Sequence, residues 1–162
     1  MQIKEVFSPP EIITVQRLAH EIWNEYYPHI IGQDQVDYML ESFQSAKAIL
    51  NKINAGHLYF LLKKDEKEIG YFAIQKQGSA LFLSKFYIHK NARKQGYAKE
   101  SLTFLKDYAN EEGLNRILLT VNINNETAIK AYESLGFTKT GELIQDIGNG
   151  FKMDDYTYEL QL

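Results

Sequence analysis

The residues of this chain best suited to chemistry lie in two segments. The first is Phe86-Tyr87-Ile88-His89-Lys90-Asn91-Ala92-Arg93-Lys94-Gln95-Gly96-Tyr97-Ala98-Lys99, a strand pattern that runs through a basic loop to a glycine at the mouth of an amphipathic helix. The first turn of a helix has N–H groups without intrahelical partners and the positive end of the macrodipole. A glycine there lets a phosphate approach the backbone where a Cβ would otherwise stand. Arg93, Lys94 and Lys99 add positive charge to a chain whose formal net charge is −3. The segment reads either as an anion cradle or as a solvated basic loop before a glycine helix start. Neither GxxxxGK[ST] nor GxGxxG occurs.

The second segment runs from Asn125 to Phe137. Asn125 has the character of a helix cap, and Tyr132 lies seven residues on, two turns along and on roughly the same face. On a stripe with Ala128 and Leu135, Tyr132 reads as core or as a catalytic group. His20, His29, His57 and His89 show no metal-ligand spacing and there is no cysteine, so no metal site, disulfide or thiol nucleophile is expected.

The elements that must position these segments follow from periodicity and punctuation. A strand is expected over 2–6, then a helix entered at Ser8-Pro9-Pro10 and carried by Val15, Leu18, Ala19, Ile22 and Tyr26 until Pro28. One second helix is expected from about 34 to 53, on the stripe Val36, Met39, Leu40, Phe43, Ile49, Leu50 and Ile53. Strands over 57–62, 68–76 and 80–89 form an antiparallel meander. A helix over 96–112, a strand over 116–122, a helix over 126–135 and strands over 137–145 and 151–160 complete the order βααβββαβαββ. The strand-helix-strand unit in the middle implies a mixed α/β sheet with a parallel pair. No domain boundary is visible, so 1–162 is expected to be a single domain.

Composition narrows the class. A length of 162 residues, 44% apolar and 24% charged, is that of one globular domain. The negative balance argues against a general nucleic-acid binder, and no apolar run approaches the ~20 residues a membrane span requires. The N-terminus lacks a signal pattern, and the absence of cysteine suits a reducing, cytoplasmic setting.

Arg93-Lys94-Gln95-Gly96-Tyr97-Ala98 resembles the [Q/R]-x-x-G-x-[G/A] loop of the GCN5-related N-acetyltransferases (GNATs). The stretch from Leu119 to Phe137 is similar to that family's second signature, L-x-V-x-x-x-N-x-x-A-x-x-x-Y-x-x-x-G-F. The resemblance spans most of the chain, with the first ~55 residues matching in helix layout, and points to the bacterial small-molecule amine type. It implies the GNAT fold: a mixed central β-sheet with a splayed parallel pair and helices on both faces. It also implies acetyl-CoA as acyl donor to a small-molecule or peptide amine, in an arrangement that is often a homodimer. By the same resemblance Phe86, Tyr87 and Ile88 offer backbone bonds to the pantetheine arm. Arg93, Lys94, Gln95, Gly96, Tyr97, Ala98 and Lys99 cradle the pyrophosphate, Asn125 contacts the pantetheine region, and Tyr132 hydrogen-bonds the leaving thiolate.

An attacking amine must lose a proton, and here the chain departs from the ribosomal-protein alanine acetyltransferases, which carry a glutamate base where this chain has Thr120. Asp146, Asp155 and Glu25 stand as alternative bases. Trp23, Tyr26, Tyr27 and Tyr38 read either as helix–helix core or, with Asp146, as an aromatic wall for the acceptor, and the acids Asp34, Asp37, Asp154 and Asp155 lean towards a cationic one. The competing reading is a non-catalytic acyl-CoA-binding sensor or interaction module of the same fold.

Overall fold

The computed structural model describes residues 1–162. They fall into two compact units, Met1–Gln75 with Lys85–Ser101, and Lys76–Ser84 with Leu102–Leu162. A seven-stranded sheet has the order β1-β2-β3-β4-β5-β7-β6. Its strands are β1 (Gln2–Glu5), β2 (Leu58–Lys64), β3 (Lys67–Gln77), β4 (Ala80–Ile88), β5 (Arg116–Asn122), β6 (Thr138–Gly148) and β7 (Phe151–Gln161). The helices are α1 (Pro9–Tyr26), α2 (Pro28–Ile31), α3 (Gln33–Phe43), α4 (Ala46–Asn54), α5 (Tyr97–Glu111) and α6 (Glu126–Ser134). The sheet is mixed, as expected, and no helix is long and apolar enough to cross a membrane.

In the first unit, α1 starts where a reciprocal cap forms. Ser8 Oγ accepts from the Glu11 amide at 3.4 Å, while Glu11 Oε1 accepts from the amides of Phe7 and Ser8 at 3.0 and 2.9 Å. These two amides, helped by Lys4, hold the Glu11 carboxyl at a pKa of about 2. One face of α1 then buries Ile12, Val15, Leu18, Ala19, Ile22 and Trp23.

Two expectations are corrected here. Pro28 does not simply stop the helical run; it begins the short α2, where its missing N–H costs nothing. The single helix expected over 34–53 is two helices, broken at Gln44 and Ser45. Ser45 Oγ accepts from the Ala48 amide at 3.2 Å and caps α4, and Gln44 turns inward to accept the Tyr71 hydroxyl at 2.9 Å. A cap and a buried hydrogen bond outweigh a continuous apolar stripe.

Pairing of β2 with β3 sets Phe60 opposite Phe72 and Leu61 opposite Tyr71. Side chains alternate across a strand, so two faces separate. Phe60, Phe72 and Phe86 lie on one, with ring centroids 5.0 and 6.2 Å apart. Tyr59, Leu61, Tyr71 and Ala73 lie on the other, together with Lys85 and Tyr87, the Tyr71 and Tyr87 rings being 5.4 Å apart. Gly70 is required by this arrangement, because a Cβ there would collide with the Tyr87 carbonyl oxygen.

In the second unit, β4 and β5 run parallel from Ala80↔Arg116 to Phe82↔Leu118, over the first three residues of strands nine and seven residues long. β5 and β7 pair antiparallel from Arg116↔Gln161 to Asn122↔Asp155. β6 pairs with β7 through two register shifts and lies largely exposed. The expected stripe on α6 is shallow: Ala128, Tyr132 and Leu135 are half-buried, and the helix has no buried residue.

Gly70→Ala is expected to cost about 2 kcal/mol or more in urea unfolding, the scale of an overpacked interior that must move backbone. A loss under about 0.5 kcal/mol would show that β4 gives way freely at Tyr87.

Candidate functional site

The basic loop belongs to the first unit. His89 opens it, its amide donating to the Ile69 carbonyl at 2.7 Å and its Nδ1 accepting from the Asn91 amide at 3.3 Å. One turn of 3-10 helix over Lys90–Ala92 follows. Arg93 then fixes the loop: its Nε donates to the Ile88 carbonyl at 3.0 Å, and its terminal nitrogens grip both oxygens of Glu25 at 3.1 and 3.0 Å. Its guanidinium lies 5.0 Å from the centre of the Tyr26 ring. Gln95 Nε2 donates to the Asn91 carbonyl at 3.0 Å. Lys94 and Gly96 adopt left-handed backbone with φ of 61° and 84°. A Cβ at Gly96 would meet no atom within 4 Å, so the side-chain direction at this residue is open. Tyr97 and Ala98 begin α5, and Lys94 and Lys99 are exposed.

The aromatic set expected for the acceptor is in the same unit. Trp23 lies 4.5 Å from Tyr27 and 5.5 Å from Tyr87, ring to ring, and Tyr26 meets Tyr27 edge-on at 5.1 Å. Tyr38 packs apart from these, against Phe43. Beneath them lie polar groups that the sequence reading passed over. The Tyr59 hydroxyl is buried and has no partner, and burial pushes its pKa, like that of Tyr71, well above the ordinary phenol value. Lys85 is pushed down to about 8, first by burial and then by the charge of Lys52. His57 is lowered as well, by burial and by Lys52 and Lys85.

The remaining candidates are in the second unit. Asn125 is buried and caps α6, its Oδ1 accepting from the Ala128 amide at 3.2 Å. Tyr132 stands on α6 with its ring edge-on to Phe137 at 5.6 Å. Of the three alternative bases, Glu25 is held by Arg93, and Asp146 is exposed and caps its own turn by accepting from the Gly148 amide at 2.9 Å. Asp155 differs. It is 1% exposed, its Oδ1 has no partner, and burial followed by the neighbouring Asp154 raises it to about 6.

A model of the acetyltransferase (GNAT) family matches residues 17–137. The chain belongs to this family. It is 34% identical over 89 residues to the uncharacterized N-acetyltransferase YycN of Bacillus subtilis (strain 168), covering 52% of this chain and 57% of that protein. It is 24% identical over 143 residues to human N-acetyltransferase 8, covering 85% of this chain and 59% of the relative. The match thus spans a little over half the length of each of these curated relatives. The fold is that of the crystal structure of PaiA N-acetyltransferase from Thermoplasma acidophilum in complex with coenzyme A, with a TM-score of 0.79 at 18% identity, covering both chains completely.

Within this family member, Lys85 is the residue whose signal was present but unused. It occupies a position of the alternation Leu81, Leu83, Lys85, Tyr87, where a charge interrupts an otherwise apolar or aromatic face.

Asp155 has a stability signature with a definite sign. Its carboxyl titrates near 3.8 when unfolded and near 6 when folded, so the native state holds a proton that the unfolded state releases between these values. Stability falls as pH rises from about 4 to 6 and stays lowered above that. Asp155→Asn is expected to raise the melting temperature at pH 8, by a gain on the order of 3 kcal/mol at most, and to gain little at pH 4. Equal gains at both pH values would show that the carboxyl is not the source.

Proposed function

We propose that the protein is an acetyl-CoA-dependent N-acetyltransferase that serves a primary amine by direct attack, in the cytoplasm, with its two units working as one domain. One family model running from residue 17 to 137 draws on both units and supports the single-domain reading. The observation that carries the function is the left-handed backbone at Lys94 and Gly96 directly before α5, with open space where a Gly96 side chain would stand, in a member of an acetyltransferase family. Unpartnered amides at a helix start suit a diphosphate, and the open position beside Gly96 is the one that a side chain would fill.

Acetyl-CoA supplies a thioester whose carbonyl carbon forms a C–N bond with the amine as its C–S bond breaks, giving an acetamide and free thiol. The chain's own residues serve this as follows. The amides of Gly96, Tyr97 and Ala98, with Lys94 and Lys99 beside them, hold the diphosphate; Gln95 braces the loop through the Asn91 carbonyl. Arg93 acts by fixing the loop, its charge being paired with Glu25. Backbone groups of Phe86, Tyr87 and Ile88, and Asn125, bind the pantetheine arm. Tyr132 protonates the departing sulfur from its hydroxyl. Asp155 takes the amine proton, a role supported by its burial, its unpartnered Oδ1 and a pKa near working pH. Tyr26 and Tyr27 wall the acceptor, backed by the Trp23 ring, which is buried in the core.

The test is release of free thiol from acetyl-CoA across a panel of amines. Release with at least one amine is expected, with kcat/KM falling below pH 6 as Asp155 gains its proton. Cofactor binding without release from any amine would leave a non-catalytic acyl-CoA-binding module. Two variants separate binding from chemistry. Gly96→Glu places a carboxylate where the diphosphate sits, and its affinity for CoA should fall at least about tenfold. Tyr132→Phe should lower kcat about tenfold or more with CoA affinity within about twofold, and an equal loss of affinity would make its role one of binding.

A further inference from the structure

One face of the first unit carries an excess of hydrogen-bond donors and cations with nothing to receive them. Lys85 and Tyr87, two residues apart on β4, share that face with Tyr59 and Tyr71, under Trp23 of α1. Lys85 makes no hydrogen bond or ion pair, and the charge acting on its ammonium is another cation, Lys52 of α4. His57, just before β2, feels both lysines, and its Nδ1 has no partner. The Tyr59 hydroxyl is buried and unpartnered, while the Trp23 indole N–H faces the Tyr71 hydroxyl. The Tyr71 hydroxyl already donates a hydrogen bond to Gln44 Oε1.

An ammonium that has lost water without gaining a counter-ion is costly, and two lysines and a histidine converging without a carboxylate are costlier still. A polar group that is buried but not satisfied calls for an account, and here the Tyr59 hydroxyl and His57 can each present a proton to an anion. An anion would meet Lys85, turn a His57 N–H towards itself and offset the repulsion from Lys52. We propose that this face receives the anionic end, a carboxylate or a phosphate, of the acceptor amine, with Lys85 as its direct contact. The acceptor is then an amine that carries an acid at its far end, not a polyamine. This rests on the transferase reading above.

The test compares amines matched in length: 5-aminopentanoate for the carboxylate arm, 3-aminopropyl phosphate for the phosphate arm, with pentylamine and 1,5-diaminopentane as the uncharged and cationic ends. Thiol release should show kcat/KM about tenfold or more higher for an acid-bearing amine than for pentylamine, with the diamine lowest. The arm that leads identifies the anion. Lys85→Met should raise KM for that amine about tenfold with kcat within about twofold, Lys85→Arg should retain the preference, and Lys85→Glu should turn it towards the diamine. A second readout needs no turnover: the acid-bearing amine alone should raise the melting temperature of the wild type and not of Lys85→Met. Lys85→Met itself should melt no lower than the wild type, since it removes an unpaired ammonium, and Lys85→Gln replaces it if it does not fold. Equal or higher kcat/KM for the diamine, or an acid preference that survives in Lys85→Met or Lys85→Gln, overturns the proposal. Thiol release without acid preference sinks this inference alone. A melting shift that depends on Lys85, without thiol release from any amine, sinks the transferase reading and leaves the anion site standing.

Discussion

Arg93 holds the loop between β4 and α5 in one geometry. Its Nε returns to the Ile88 carbonyl, its two terminal nitrogens grip Glu25 of α1, and its plane lies by the Tyr26 ring. A half-exposed ion pair of this kind contributes only about 1 kcal/mol to stability. Its directional content is larger, because a planar fork satisfies three acceptors at once and a lysine cannot. The loop is pinned at Ile88 and at α1, so the left-handed turns at Lys94 and Gly96 are presented in place. The same pairing removes Arg93 from the free positive charge of the loop. The attraction for a diphosphate must then come from Lys94, Lys99 and the amides of the first turn of α5.

A second constraint is the contact of Gly70 with the carbonyl of Tyr87. Backbone brought that close leaves no room for a side chain. Tyr87 then reaches Tyr71, Tyr27 and Trp23, while Lys85 is drawn into the same layer two residues earlier. A lysine at an outward position would hold its ammonium in water and keep its ordinary pKa. At this one it is half-buried, and burial followed by the charge of Lys52 holds its pKa down to about 8. Lys85 stands on this face by strand alternation, two residues before Tyr87.

Much of this was legible in the sequence. Periodicity placed α1, the strands and α5 within a few residues, because each has a strong stripe or alternation and a clear punctuating residue. The two signatures located the glycine loop and the Asn125 to Phe137 segment. What escaped depends on partners distant in sequence. The break at Gln44 follows from Tyr71, 27 residues away, and the pairing of Arg93 from Glu25, 68 residues away. The shallow setting of Tyr132 was hidden for a related reason, since a stripe shows which side of a helix turns inward and not how deep it goes.

The acidic residues illustrate why composition is a poor guide to what a site recognises. Their number leaned towards a cationic acceptor, yet the structure gives most of them local work. Asp34 lies in the first turn of α3, where it meets the positive end of the helix, and Asp37 accepts from Gln33 at 2.8 Å. Asp146 caps a turn, Glu25 holds Arg93, and Glu21 pairs with Arg17 at 3.0 Å. Such charges remain hydrated or already partnered, and a ligand gains little by meeting them. The charges that discriminate are those partly buried and left without a counter-ion, since a ligand that completes them gains more than one that meets a hydrated or paired charge. In the first unit these are positive, at Lys85 with Lys52 and His57 beside it, whatever the sign of the chain as a whole.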